Sequence, residues 1–226
     1  MKLARVYPIV EDARWIERLL PAGVRWVQLR VKDRPAEQIR AEIRRARALC
    51  TAVGAELVVN DYWQLAIEER CTWVHLGQGD LAGADIAALR RAQLRIGIST
   101  HSEEELERAL QVDPDYVALG PIYPTLLKQM PWAPQGLPRL GQWKRRIGAL
   151  PLVAIGGLTL ERLAGVYAAG ADCAAVVTDI VRHADPEQRL RDWIEESERS
   201  AGAGSGSNLA HATYTGAALD RPGVPR

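Results

Sequence analysis

The chain has 226 residues, 47% apolar and 25% charged, and its 29 basic side chains against 28 acidic ones leave a formal net charge of +1. That balance excludes nucleic acid or an anionic membrane as a main partner, since either calls for a large basic excess, and no apolar run approaches the ~18 residues of a membrane span. Glu11, Asp12 and Arg14 sit where a secretory leader would need its apolar stretch, and Cys50, Cys71 and Cys173 are odd in number and lack CxxC spacing, so the expectation is a soluble, reduced, cytoplasmic protein without a disulfide framework or zinc site.

Short apolar runs alternate with helical patterns along the chain. The expected strands are Leu3–Ile9, Val24–Arg30, Glu56–Asn60, Thr72–Leu76, Leu94–Ser99, Tyr116–Gly120, Leu152–Ile155 and Cys173–Thr178. Between them, Ile39, Ile43, Ala46 and Cys50 form one helical stripe, and Leu140, Trp143, Ile147 and Leu160, Leu163, Tyr167 repeat the pattern. Ser102 with Glu105 reads as a capping box, Asp185 before Pro186 as a helix start, and Gly23, Gly54 and Gly170 as helix ends. Eight strand–helix units imply right-handed parallel crossovers and close most economically into an α/β fold of the (β/α)8 TIM-barrel type over residues 1–200. An open doubly wound sheet is less favoured, because no GxGxxG follows the first strand. Residues 201–226, beginning Ala-Gly-Ala-Gly-Ser, have little to bury and read as a short disordered, flexible C-terminal tail.

Polar residues at the C-terminal strand ends then become the candidates, because barrels of this kind react there. Gln28, Arg30 and Lys32 are spaced by two and share a face. Val27 and Leu29 must pack outward on helices, which turns the three polar side chains into the barrel mouth. Two cations together need an anion, supplied by Asp33 or a neighbour in a purely structural role, or by a ligand. Asp61 and Asp80, on adjacent strand-end loops, suit Mg²⁺, which takes one or two carboxylates plus phosphate oxygens. A bound pyrophosphate reconciles these cations and carboxylates. Ser99 can donate into the same mouth, whereas His101, beside the capping Ser102, reads as a supporting residue.

The irregular stretch Pro121–Gly136 has the length of a functional loop and contains Thr125 and Lys128. Lys128 stands out because only four of the 29 basic residues are lysines. Gly156-Gly157, Val177 and Thr178 occupy the loops after strands seven and eight, where many barrels hold a substrate phosphate.

The chain resembles the thiamine phosphate synthase family over roughly residues 3–197. The matching motifs are Val27-Gln-Leu-Arg-Val-Lys-Asp33, Val59-Asn-Asp61, His75-Leu-Gly-Gln-Gly-Asp80, Gly97-Ile-Ser-Thr-His101, Gly120-Pro-Ile-Tyr-Pro-Thr125 with Lys128, Ala154-Ile-Gly-Gly157 and Ala175-Val-Val-Thr178. The resemblance implies an alkyl transferase that joins 4-amino-2-methyl-5-hydroxymethylpyrimidine diphosphate to 4-methyl-5-(2-phosphooxyethyl)thiazole, giving thiamine phosphate and pyrophosphate. It implies further that Gln28, Arg30, Lys32 and Asn60 hold the pyrimidine diphosphate, that Asp61 and Asp80 bind Mg²⁺, and that Ser99 and Lys128, with Arg30 and Lys32, stabilise the departing pyrophosphate. Thr125, Leu127, Gly157, Val177 and Thr178 are then expected at the thiazole phosphate. In this family the C–O bond is thought to break first, leaving a carbocation that the thiazole nitrogen traps. Expected partners are thus these small molecules, and the oligomeric state stays open, a homo-oligomer included. Two other readings stay open at this point: a thiazole tautomerase-type isomerase of the same superfamily, which does not need the complete diphosphate and Mg²⁺ constellation, and a non-catalytic phosphate-ligand-binding barrel.

The chain departs from the family's Thr-x-Thr-Lys pattern in the sixth loop, where it has Thr125-Leu126-Leu127-Lys128. Leu127 removes a hydroxyl expected near the thiazole, at a cost of ~0.5–1.5 kcal/mol for one neutral hydrogen bond. If the loop closes over the thiazole phosphate, Leu127→Thr lowers the KM for that substrate by an amount on the order of 1 kcal/mol. A raised KM together with a lowered Tm would show instead that Leu127 packs on an apolar surface.

Overall fold

The structure is a computed structural model, and it describes residues 3–125 and 133–205. Eight parallel strands close in sequential order, with the eighth paired to the first. They are β1 (Val6–Val10), β2 (Trp26–Leu29), β3 (Glu56–Asn60), β4 (Trp73–Leu76), β5 (Arg95–Thr100), β6 (Tyr116–Leu119), β7 (Leu152–Ile155) and β8 (Cys173–Val176). The expected (β/α)8 barrel is therefore the observed fold, and the open sheet is excluded by the β1–β8 pairing. Between and after the strands run α1 (Ala13–Leu19), α2 (Ala36–Val53), α3 (Trp63–Glu68), α4 (Gln78–Gly83), α5 (Ile86–Arg91), α6 (Glu103–Leu110), α7 (Gly136–Ile147), α8 (Leu163–Ala168), α9 (Thr178–Val181) and α10 (Pro186–Ser205).

Strand alternation divides the core in two. Outward residues such as Val27, Leu29, Val74, Leu76, Ile96 and Ile98 pack with the helices, where α2 contributes the expected stripe of Ile39, Ile43, Ala46 and Cys50. Inward residues form a separate cluster that includes Tyr7, Trp26, Val58, Trp73, Tyr116 and Cys173. The even-numbered strands each begin with an inward residue: Trp26, Trp73, Tyr116 and Cys173. This matches the tiers contributed by alternate strands that fill such barrels. Trp26 lies edge-on to Trp73 at 5.5 Å and to Tyr116 at 5.2 Å, and Tyr7 stacks on Trp26 at 3.9 Å. Bulky aromatics thus plug the lower barrel and leave smaller, polar residues above them. Two steps along β2 and β4 the inward positions are Gln28 and His75, and near the ends of β3 and β5 they are Asn60 and Ser99.

Gly97 makes this packing feasible. A Cβ there would fall 1.9 Å from the Tyr116 ring, so the phenol rises through the space that a side chain on β5 would occupy.

Several local expectations change in detail. Arg30 lies just past β2, although its N–H still bonds the Val10 carbonyl at 2.8 Å. Thr178 opens α9 rather than closing β8. Ser102 caps α6 by accepting from Glu105 N–H, but the Glu105 carboxylate reaches past the cap residue to the backbone N–H and ring Nδ1 of His101, so only half of the expected capping box forms. The imidazole offers a second donor beside the first, which a lone backbone N–H cannot match. Asp185 does cap α10, accepting from Gln188 N–H. That helix runs to Ser205, five residues into the stretch expected as tail. The remainder of the expected tail, 206–226, lies outside the described residues.

Gly97→Ala is expected to displace the Tyr116 ring and lower stability by about 1–3 kcal/mol, as overpacking of a tight core does. Denaturant unfolding checks this, and an unchanged midpoint would mean the ring can yield without cost.

Candidate active site

At the C-terminal ends of the strands opens a cavity of about 780 Å³. Gln28, Arg30 and Lys32 line one side, as their spacing predicts, while Val27, Leu29 and Val31 are buried outward. Neither Arg30 nor Lys32 makes a salt bridge among the described residues, and Asp33 does not neutralise them. Among the described residues no carboxylate forms an ion pair with either cation, although both lie near enough to Asp61 to lower its pKa, and the two line the mouth.

On the neighbouring strand ends, Asp61 and Asp80 line the same cavity. Asp61 follows β3 directly and adopts a left-handed backbone at φ 64°, held by its N–H on the His75 carbonyl at 2.9 Å. Such a conformation is unusual for a residue with a side chain and needs support from its surroundings. Asp80 sits in the first turn of α4, which starts at the end of β4. Burial raises the Asp61 pKa first, and the neighbouring Asp80 charge raises it further, while Lys32 and Arg30 pull it back. Two carboxylates pressed together are a strained arrangement that a cation would relieve. Nearby, Asn60 lines the cavity and is buried, and its Nδ2 has no hydrogen-bond partner among the described residues.

Ser99 stands on the opposite wall with its Oγ 2.8 Å from His75 Nε2. The Gln78 side-chain amide donates to the Ser99 carbonyl at 2.7 Å and accepts from Arg108 at 3.2 Å, which pins the end of β5. His101 also lines the cavity and is held by Glu105 at 2.8 Å, in keeping with a supporting part. The loops after β7 and β8 bring Gly157, Val177 and Thr178 to the third side, with Thr125 beside them. Gly156 and Gly157 have φ of 94° and 66°, and a Cβ on either would strike Pro121 or Pro124 at 2.6 and 2.5 Å. Their small size lets the chain after β6 lie directly on the end of β7, where Tyr123 N–H bonds the Gly156 carbonyl at 3.0 Å. Lys128 and Leu127, the remaining expected site residues, lie outside the described residues.

Two residues were given no role by sequence reasoning. Gln78 is a helix-start residue with no spacing signal. His75 is inward-facing on β4, and that parity was the available clue. It is buried, with its Nδ1 2.8 Å from the Tyr116 hydroxyl. Burial, then the Arg30 charge, pushes its imidazole pKa from 6.5 down to about 4. The ring is therefore neutral at physiological pH.

The comparisons agree with this geometry. A family model described as thiamine monophosphate synthase matches residues 6–180. A thiamine-phosphate synthase of Rhizobium etli is 59% identical over 194 residues, spanning 86% of this chain and 95% of that protein. One from Escherichia coli O1:K1 is 49% identical over 180 residues, spanning 80% and 85%. The solved structure of a thiamine phosphate pyrophosphorylase from Pyrococcus furiosus superposes with a TM-score of 0.77 at 24% identity, covering 87% of this chain and 96% of that one, which supports the fold.

The buried imidazole has a pH signature. Between pH 6.5 and about 4 the unfolded chain protonates this histidine while the folded one does not, so stability complete above pH 6.5 is lost as pH falls through that window. The loss from this residue is on the order of 3 kcal/mol. Urea unfolding at pH 7 and pH 4.5 should show a steeper decline for the wild type than for His75→Asn, and equal declines would contradict the buried neutral ring.

Proposed function

The chain belongs to the thiamine monophosphate synthase family and has the alkyl-transferase activity of a thiamine-phosphate synthase; we propose that the mouth described above is where it joins the pyrimidine diphosphate to the thiazole phosphate. The observation that carries this assignment is the meeting, in one cavity, of two cations that form no salt bridge among the described residues with two crowded carboxylates. A diphosphate with a divalent cation complements both halves at once.

Asp61 and Asp80 are the residues that would hold Mg²⁺. The fit rests on their oxygen donors and on the raised pKa of Asp61, which burial causes first and the Asp80 charge second. When bound there, Mg²⁺ supplies charge stabilisation to the diphosphate leaving group. Arg30 and Lys32 bind the diphosphate and oppose the charge that grows as the C–O bond breaks. Ser99 donates a hydrogen bond to the departing pyrophosphate, and Lys128 adds a further cation from the loop after β6. Gln28 and Asn60, both lining the cavity, orient the pyrimidine ring. The electron pair of the broken C–O bond leaves with pyrophosphate, and the thiazole nitrogen supplies the pair for the new C–N bond.

Gly157, Val177 and Thr178, in the strand-seven and strand-eight loops where barrels of this type commonly bind phosphate, form the thiazole phosphate subsite with Thr125 from the loop after strand six, and Leu127 is assigned to it from its position in the sequence. The aromatic plug below seals the cavity floor, so the cationic carbon is shielded from water on that side. A cytoplasmic location for the reaction suits the three buried, unpaired cysteines.

Mixing both substrates with Mg²⁺ should release pyrophosphate and form thiamine phosphate. Absence of pyrophosphate release would favour the isomerase or non-catalytic readings. Asp61→Asn and Asp80→Asn should each raise the Mg²⁺ concentration for half-maximal rate by at least about tenfold, with unchanged circular dichroism. An unaltered Mg²⁺ dependence would remove these residues from the metal site.

A further inference from the structure

A continuous hydrogen-bonded chain crosses the barrel interior beneath the site. Gln28 Nε2 donates to the Tyr7 hydroxyl at 2.8 Å, Tyr7 and Tyr116 hydroxyls lie 3.1 Å apart, Tyr116 is 2.8 Å from His75 Nδ1, and His75 Nε2 is 2.8 Å from Ser99 Oγ. Its two ends, Gln28 and Ser99, both line the reaction cavity, on β2 and β5. The middle members are buried, and burial holds both phenols in their protonated form.

The donors can be counted. An amide nitrogen only donates, a protonated phenol has one proton, and a neutral imidazole has one N–H. Tyr7 already accepts from Gln28, so its own proton goes to Tyr116. Tyr116 then passes its proton to His75 Nδ1. That leaves the imidazole proton on Nε2, donated to Ser99 Oγ, and the Ser99 proton must point elsewhere, into the cavity. Running the chain the other way requires the Gln28 amide turned over, its oxygen on the Tyr7 hydroxyl and its nitrogen toward the cavity; in the orientation present, the Tyr7 proton would face the amide protons with no acceptor.

We infer that Tyr7, Tyr116 and His75 are positioning residues that hold the Ser99 hydroxyl as a donor toward the leaving pyrophosphate, with Gln28 setting the direction of the chain from the far wall. Because its amide nitrogen is committed to Tyr7, Gln28 offers its carbonyl oxygen to the substrate. The amino group of the pyrimidine is a matching donor. Binding the correct pyrimidine thereby locks the Gln28 amide in the orientation that makes Ser99 a donor, so recognition of the ring and stabilisation of its leaving group are coupled through the barrel floor. This rests on the reading of Ser99 given above.

Two measurements test it. Nitrogen-15 correlation spectra of the labelled wild-type protein should show His75 with its proton on Nε2, and a proton on Nδ1 would overturn the chain's direction. In kinetics, Tyr116→Phe should lower kcat roughly threefold to tenfold, the loss of one neutral hydrogen bond, with KM for the pyrimidine diphosphate unchanged. In a Ser99→Ala background the same substitution should cost nothing further, because the relay then has nothing to orient. Equal losses in both backgrounds would reduce Tyr116 to a packing residue and overturn the proposal. Tyr7→Phe, which keeps the ring stacked on Trp26 and breaks the chain one link earlier, should behave likewise and serves if Tyr116→Phe fails to fold. If Ser99→Ala alone leaves kcat intact, the role of Ser99 at the leaving group fails, whereas the tautomer of His75 still decides the direction of the relay.

Discussion

Closing eight parallel strands into a barrel leaves an interior that only side chains from those same strands can fill, and everything at the mouth depends on how that filling is divided. Here the lower positions take Trp26, Trp73, Tyr116 and Tyr7, whose rings are in mutual contact. Rings this large satisfy the volume early, so the upper inward positions are released from packing and carry Gln28, His75, Asn60 and Ser99. The exchange works only because β5 contributes Gly97, which leaves the Tyr116 phenol room to rise. The same phenol is then a packing element at one end and a hydrogen-bonding element at the other. A buried hydroxyl must find a partner, and the partners available to it lead directly to the site.

The charges at the mouth follow a different logic from those on the surface. Around the outside, acidic and basic side chains neutralise each other, as Glu69 does between Arg40 and Arg44, linking α2 to α3. Inside the mouth like charges are grouped: Arg30 with Lys32 on one wall and Asp61 with Asp80 on another. Grouping costs folding free energy, since each cluster repels itself and Asp61 is partly buried besides. The cost is offset when a ligand brings both anionic oxygens and a cation. A site assembled in this way is selective for a ligand that carries both signs of charge, and a metal-bound diphosphate has them.

Much of this was visible along the chain. The i, i+2 spacing of Gln28, Arg30 and Lys32 determines which way they face, because strand parity is a local property and their apolar neighbours can only pack outward. The α2 stripe is legible for the same reason, each of its four predicted residues being buried. Details that failed were those in which one polar group chooses among several partners. Glu105 bonds His101 rather than the backbone of Ser102 because folding brings a better donor within reach. The glycine pair at 156–157 reads as a turn or a phosphate loop, but its tight packing against Pro121 and Pro124 comes from two segments far apart in sequence.

By itself, the sequence determined the barrel class, the inward parity of Gln28, Arg30 and Lys32 and the chemical kinds of group delivered to the strand ends. Periodicity and strand-end position are properties of neighbours along the chain. Only the tertiary structure decided that Asp61 and Asp80 crowd one another, that Arg30 and Lys32 form no salt bridge among the described residues, and that His75 links Ser99 to Tyr116 and onward to Gln28. Those relations join β1, β2, β4, β5 and β6, and they exist because barrel closure brings side chains more than a hundred residues apart, such as Tyr7 and Tyr116, within hydrogen-bond distance in a space that excludes water.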